Sequence, residues 1–205
     1  MNKPVIIIGN GGHASVLTEI LLAQDTEILG FTAPRCEQND FNLPYLGTDN
    51  IIENYQSSEV ALVLGIGMIQ PSPVRQKIFD HFQTLYFQFP TIIHPTAIIA
   101  PSVQLEQGVQ VMAGAIVQTK TVIDVNTIVN TGARIDHNCR IDAHAHIAPG
   151  TTVSGDVHIQ QGTHIGTGAV VIQGITIGAN CLIGAGAVVT NNIATGMKVK
   201  GVPAR

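Results

Sequence analysis

Aliphatic residues recur at every sixth position through the second half of the chain. A period of six is too short for a helical repeat and too long for the two-residue alternation of an ordinary strand, and it is typical of the hexapeptide parallel β-helix. Three hexads close one triangular coil, so residues eighteen apart are expected to stack at about 4.8 Å, the spacing of paired strands. The inward series is Ile93, Ile99, Leu105, Val111, Val117, Ile123, Val129, Ile135, Ile141, Ile147, Val153, Ile159, Ile165, Val171, Ile177, Ile183 and Val189.

The first half of the chain alternates between buried strands and amphipathic helices. Residues 5–8 predict a strand, the glycines at 9–12 a tight turn, and Val16, Leu17, Ile20 and Leu21 the apolar face of a helix. Further strands are predicted within 27–31 and 60–67, and a second helix within 74–82. This order indicates an α/β domain with a small, Rossmann-like parallel sheet, followed by the parallel β-helix.

The composition changes sharply at one point and so predicts a domain boundary. All aromatic residues lie at or before Phe89, and a core without aromatic side chains must be narrow. We therefore predict two domains, residues 1–89 and 90–205. With 45% hydrophobic and 12% charged residues the chain is globular.

Charge and cysteine usage exclude several classes of partner. The net charge of -4 and the lack of a Lys/Arg run argue against nucleic acid and membrane surfaces. No stretch approaches the roughly 20 apolar residues of a membrane helix. Three widely separated cysteines fit a reducing compartment, so we expect a cytoplasmic protein.

The glycine turn after the first strand predicts a phosphate-binding site, because it leaves backbone N–H groups free at a helix N-terminus. The third glycine of a dinucleotide-binding turn is replaced by Ala14, and the second strand ends in GFTAPR without an acidic residue. These departures favour a smaller phosphate ligand, with a plain tight turn as the alternative.

The order of four short motifs identifies a family resemblance. "GNGGHA", "GIG", "NTGARIDHNC" and the terminal "GVPAR" resemble the bacterial sugar acyltransferases of the PglD and NeuD type over essentially the whole chain. The resemblance implies a left-handed β-helix, acetyl-CoA as co-substrate, and a homotrimer with active sites between β-helices. It further implies acetylation of the 4-amine of a UDP-linked 4-amino-4,6-dideoxy sugar, with O-acetylation of sialic acid in the NeuD manner as the alternative.

The same resemblance places the general base at His137, in "IDHNC". His137 follows the inward Ile135 by two positions, so its side chain should point outward. The next residue is Asn138, where related sequences have Glu or Asp. We expect Asn138 to orient the imidazole by a hydrogen bond, with Asp136 or a backbone carbonyl as alternatives. Cys139, four positions after Ile135, should face the core.

The resemblance also assigns the ligand contacts. For the small residues Gly155, Thr167 and Ala185, the alternative is that they only serve the turns of the β-helix and contact no ligand. His137 and Gly155 are eighteen apart, as are Thr167 and Ala185, so we predict two columns that together line a groove for CoA. The resemblance implies acetyl-CoA contacts from His146 near the thioester, from Gly155 and, on a neighbouring subunit or face, from Thr167 and Ala185. Nucleotide-sugar contacts are expected from Gly11, Gly12, His13, Thr32 and Asn130.

A zinc site or a non-enzymatic scaffold is the alternative from a different class. His146 and His164 are also eighteen apart and should stack, with Asp142 or His144 as possible further ligands. Zinc needs three or four converging ligands. Because the resemblance explains His146 without a metal, we expect none.

Overall fold

The computed structural model describes residues 3–205, which form two compact units. The first contains residues 3–67 and 74–92, and the second contains residues 68–73 and 93–205. The boundary at Ile92–Ile93 compares with Phe89–Pro90 predicted from the aromatic residues. Residues 68–73 group with the second unit, and no feature of their sequence predicted this.

A four-stranded parallel sheet with two helices forms the first unit. The sheet order is β3-β2-β1-β4, so the glycine turn lies at the carboxyl end of a central strand. Val16 is a correction: it is 41% exposed, whereas Leu17, Ile20 and Leu21 are buried as predicted. The elements are β1 (Val5–Ile8), α1 (Gly12–Ala23), β2 (Ile28–Thr32), β3 (Tyr45–Gly47), a 3-10 helix (Asp49–Asn54), β4 (Ala61–Leu64) and α2 (Pro73–Thr84).

The second unit is the predicted left-handed β-helix, built from two-residue strands separated by four-residue corners. The strands are β5 (Ile92–Ile93), β6 (Ile98–Ile99), β7 (Gln104–Leu105), β8 (Gln110–Val111), β9 (Ile116–Val117), β10 (Val122–Ile123), β11 (Ile128–Val129), β12 (Arg134–Ile135), β13 (Arg140–Ile141), β14 (His146–Ile147), β15 (Thr152–Val153), β16 (His158–Ile159), β17 (His164–Ile165), β18 (Val170–Val171), β19 (Thr176–Ile177), β20 (Leu182–Ile183), β21 (Val188–Val189) and β22 (Lys198–Val199).

From β5 to β21 every third strand belongs to the same sheet, and β22 joins the first of these sheets beside β20, so the β-helix has three faces. The first face has the order β22-β20-β17-β14-β11-β8-β5, the second β21-β18-β15-β12-β9-β6, and the third β19-β16-β13-β10-β7. Paired residues up to β21 are eighteen apart, as in the pair Ile147 and Ile165, whereas Ile183 pairs with Val199 of β22. The predicted inward residues from Val111 to Val189 are buried and form one continuous core. Ile93, Ile99 and Leu105 are only partly buried.

Cys139 confirms the inward position predicted for it. The side chain is 2% exposed, and its thiol donates to the carbonyl of Ser154 at 3.2 Å. Burial raises the pKa of the Cys139 thiol, which keeps it protonated and unreactive. Cys139 is therefore a core residue, although it lies two positions from His137.

Candidate active site

The glycine turn between β1 and α1 leaves open space above its backbone. A methyl group added to Gly11 or Gly12 would meet no atom within 4 Å. Helix α1 begins here without a side-chain cap and without an acidic residue in its first turn. A ligand phosphate could therefore approach the free N–H groups closely. His13 is half-buried, and its Cβ lies 3.4 Å from where a Cβ on Gly67 would be.

Thr32 was expected to contact the nucleotide sugar, but its side chain is turned into the protein. It is fully buried at the end of β2, and its hydroxyl donates to Asp49 Oδ1 at 2.6 Å. The half-buried Asp49 thus puts a carboxylate at the end of β2, where the sequence GFTAPR has none. Sequence reasoning missed Asp49 because it lies seventeen residues beyond Thr32.

An asparagine pair connects the glycine turn to the loop that follows β2. Asn10 Nδ2 donates to the carbonyl of Gln38 at 2.9 Å, and Asn39 Nδ2 donates to Asn10 Oδ1 at 2.6 Å. Asn39 Oδ1 in turn accepts from the backbone of Phe41. These bonds fix the loop beside the turn, and only Asn10, inside "GNGG", carried a sequence signal.

His137 lies at the corner between the second and third faces, with its side chain outward and half-buried. Its N–H donates to Asp136 Oδ1 at 2.8 Å, and its carbonyl accepts from Asp156 N at 2.9 Å. Within residues 3–205 neither imidazole nitrogen has a hydrogen-bond partner. Both nitrogens are therefore available to a ligand, as a general base requires.

Gly155 leaves the space in which the His137 imidazole lies. Gly155 is buried, and a Cβ built on it would lie 2.6 Å from His137 Nε2 and 2.5 Å from Cε1. Real Cβ atoms essentially never come so close, so any other residue here would push the ring away. Because residues eighteen apart stack, Gly155 lies one coil from His137, and its missing side chain leaves the space that the His137 ring occupies.

We expect Gly155→Ala to lower kcat roughly 10- to 100-fold, because a displacement of about 1 Å from a catalytic geometry costs up to that much. The double variant Gly155→Ala with His137→Ala should be no slower than His137→Ala alone. Steady-state kinetics of the four proteins give this comparison. If the two effects multiply instead, Gly155 acts independently of His137.

Asn138 has a structural role at this corner. Its φ of 57° is left-handed, a conformation that Gly, Asn and Asp adopt most readily. Its N–H donates to the carbonyl of Thr119 one coil below. The exposed side chain has no hydrogen-bond partner within the described residues. The same corner position is left-handed in Gly108, Gly114, Lys120, Asn126, Gly132, His144, Gly150, Asp156, Gly162, Gly168, Gly174, Asn180 and Gly186.

A cavity of about 490 Å³ opens on the first face and brings together four of the predicted ligand residues. His146, Thr167, Ala185 and Asn130 all line it. Gly155 and His137 do not. The remaining lining comes from Met68, Ile69, Ala148, Pro149, His164, Gly166, Leu182, Ile183 and Gly184.

Both ring nitrogens of His146 form hydrogen bonds within the protein. Nδ1 lies 2.6 Å from the carbonyl of Met68, so Nδ1 carries the hydrogen and donates it. Asn130 Oδ1 accepts from Thr131 N at 2.8 Å, which orients the amide so that its Nδ2 donates to His146 Nε2 at 3.0 Å. His146 is therefore neutral, with its tautomer fixed by two protein partners.

The two predicted columns do not lie on one face, which corrects the expected single groove. Thr167 and Ala185 follow strands of the first face and lie at the corner with the second. His137 and Gly155 lie at the corner between the second and third faces. In a three-sided prism this corner is opposite the first face, so one chain cannot bring His137 to its own cavity.

The residues considered for zinc do not converge. Asp142, on the third face, binds Arg140 Nε at 2.7 Å and His158 Nε2 at 2.9 Å. His144 lies at a corner beside Asn126, 2.9 Å away, and His146 stacks edge-on against His164. Across residues 3–205 no group of three or more His, Cys, Asp or Glu could hold a metal ion.

No helix in the described part of the chain is both long and apolar enough to cross a bilayer.

Comparisons with known proteins agree with this architecture. Residues 4–82 match the PglD N-terminal domain, and residues 156–191 match the bacterial transferase hexapeptide model of six repeats. No curated protein sequence matches the chain.

Several solved structures match the chain from end to end. The acetyltransferase domain of PglB from Neisseria gonorrhoeae FA1090 is 37% identical with a TM-score of 0.94, covering 100% of this chain and 99% of that one. The same domain has been solved in complex with acetyl coenzyme A. A mutant of GDP-perosamine N-acetyl transferase from Caulobacter crescentus, in complex with CoA and GDP-perosamine, is 34% identical with a TM-score of 0.92, covering 100% and 97%.

Proposed function

The chain belongs to the PglD-type family of bacterial sugar acetyltransferases, and from this premise we propose that it acetylates the 4-amine of a UDP-linked 4-amino-4,6-dideoxy sugar. The enzyme uses acetyl-CoA, as the complexes of its relatives show. The observation that carries the acceptor class is the 34% identity over the whole chain to a GDP-perosamine N-acetyl transferase. That relative also makes a GDP-linked sugar the second candidate.

The proposed chemistry needs one base and no covalent enzyme intermediate. The neutral amine attacks the thioester carbonyl, and His137 accepts the proton that the nitrogen sheds as the C–N bond forms. The tetrahedral intermediate then expels the CoA thiolate, which takes up a proton to give free CoA and the amide. The unbonded ring nitrogens of His137 and the space left by Gly155 support this role. Asn138 keeps the corner in place, and the structure shows no bond from its side chain to the ring.

Two ligand sites follow from the proposal. The nucleotide sugar would bind at the glycine turn, with its phosphates on the open N–H groups near Gly11 and Gly12, and with His13 and Asp49 nearby in the same unit. Acetyl-CoA would occupy the cavity on the first face, between Thr167 and Ala185. Because His137 lies at the opposite corner, each site would combine His137 of one chain with the cavity of another.

We therefore propose a homotrimer, in which three β-helices place their sides together around a closed axis. Light scattering should give about three times the chain mass of 21.7 kDa.

The acceptor is tested with acetyl-CoA and a panel of UDP-linked 4-amino sugars, GDP-linked 4-amino sugars and free sialic acid. We expect one acetyl group on the UDP-amino sugar, detected by mass spectrometry, and a product that resists hydroxylamine because it is an amide. Faster acetylation of the GDP-linked sugar would replace the nucleotide in the proposal. A hydroxylamine-sensitive product on sialic acid alone would contradict N-acetylation.

A further inference from the structure

His164 is a buried imidazole in the cavity that neither the sequence motifs nor the proposed mechanism uses. It lies one coil above His146 and is 7% exposed. The two rings pack edge to face, with centroids 4.9 Å apart and an interplanar angle of 74°. Among the described residues its enclosed Nδ1 has no hydrogen-bond partner. A buried polar side chain without a partner is uncommon in a native protein and calls for an explanation.

The position of the ring hydrogen follows from this burial. Desolvation lowers the pKa of His164, so at neutral pH the ring is uncharged and has one N–H and one lone pair. An enclosed N–H without an acceptor is rarer than an enclosed acceptor without a donor. The lone pair therefore lies on Nδ1 and the hydrogen on Nε2, the nitrogen on the cavity side.

His146 cannot supply such a donor to the cavity. Its Nδ1–H already donates to the carbonyl of Met68, and its Nε2 accepts from Asn130. The edge-on contact with His146 instead fixes the orientation of the His164 ring. Of the two stacked histidines, only His164 has an N–H that a ligand can use.

The surroundings select a neutral acceptor for this N–H. The cavity lining includes Pro149, Ile183 and Leu182, which pairs with His164 one coil above, and no Lys or Arg contributes to it. A phosphate oxygen would lack a countercharge here. A carbonyl oxygen suits both the neutral donor and the apolar walls.

We propose that His164, through Nε2–H, donates a hydrogen bond to a carbonyl oxygen of the acyl-CoA arm, while His146 acts as the residue that orients it. This inference rests on the proposed location of acetyl-CoA in the cavity. The acyl-CoA arm offers two amide carbonyls and the thioester carbonyl, and free CoA retains only the amides.

Calorimetric titration of the full-length protein with acetyl-CoA and with free CoA tests the proposal. His164→Phe keeps a ring of similar shape without the N–H, and we expect its Kd for acetyl-CoA to rise roughly 5- to 10-fold, the effect of one net hydrogen bond. His164→Gln, which restores an N–H donor, should recover most of the affinity. Equal losses for both ligands identify an amide carbonyl, and a loss for acetyl-CoA alone identifies the thioester.

The matched control is His158→Phe. His158 occupies the same strand position in β16, but it lies on the third face and binds Asp142. It should bind both ligands like the wild type. Wild-type affinity in His164→Phe, or equal weakening in both Phe variants, would overturn the proposal. Because no sugar is present, the titration reads independently of which acceptor the enzyme uses.

Discussion

Replacing His137 by alanine should lower kcat roughly 10²- to 10⁴-fold, the usual contribution of a general base. The expectation rests on three observations: the imidazole points outward, neither nitrogen has a partner within residues 3–205, and Gly155 leaves space for the ring. Stability should change little, because the core at this coil is made by Ile135 and Cys139, both buried. Release of CoA thiol measures turnover, and thermal unfolding checks the fold.

His158→Ala is the control for this variant. It removes another outward histidine from the same β-helix, one that is bound to Asp142 on the third face. Its turnover should match the wild type. Added imidazole should restore part of the activity of His137→Ala and leave His158→Ala unaffected. Wild-type turnover in His137→Ala would remove the residue from the mechanism.

The inward half of the β-helix was predictable because its signal is repeated in every coil. An inward residue from Val111 to Val171 has equivalents eighteen residues away on either side, so each hexad constrains the next. The same arithmetic places Cys139 in the core. It also explains Asn138: the third residue after each inward position from Leu105 to Ile183 has a left-handed backbone conformation.

Contacts between residues far apart in the chain could not be predicted in this way, because no repeated sequence pattern marks them. The bond from His146 to the carbonyl of Met68 joins residues 78 apart, and a backbone carbonyl carries no sequence information. The bond from Thr32 to Asp49 likewise depends on how the chain returns past the sheet. Both contacts change the chemistry of the site: one fixes a tautomer, and the other supplies a carboxylate.

The separation of His137 from the cavity follows from the repeat itself, and it agrees with the expectation of active sites between β-helices. Thr167 follows Gly155 by twelve residues, which is two hexads, or two of the three sides of a coil. The two columns therefore belong to different corners, although all four residues occupy the same position in their hexads. Equivalent hexad positions share a face only when they differ by a multiple of eighteen.

This separation leads to the second large expected effect, which is recovery of activity from two inactive variants. His137→Ala removes the base. Thr167→Trp fills the mouth of the cavity, because Thr167 is exposed and lines it. Each variant alone should have at most about 1% of wild-type turnover, within the range expected for loss of a general base or of a bound substrate geometry.

Mixed oligomers of the two variants should be active if each site is shared between chains. In a random 1:1 mixture, a site has an intact His137 with a probability of one half and an intact cavity with a probability of one half. About one quarter of the sites should therefore be complete in the unsorted mixture, and one of the three sites in every mixed closed trimer. Coexpression with two affinity tags, followed by sequential purification, isolates the mixed assemblies, and turnover per chain measures the recovery.

Two controls distinguish activity at sites shared between chains from the residual activity of the single variants. Separately purified variants, mixed without exchange of subunits, should show only the sum of their residual activities. Coexpression of His137→Ala with Gly155→Ala should stay close to that sum, because both changes affect the same corner of one chain and neither chain supplies a properly seated base. If the mixed assemblies of His137→Ala and Thr167→Trp remain as inactive as their parents, base and cavity act within a single chain. The three-sided geometry of the β-helix would then have to open during catalysis, since in the folded prism the corner that carries His137 faces away from the cavity.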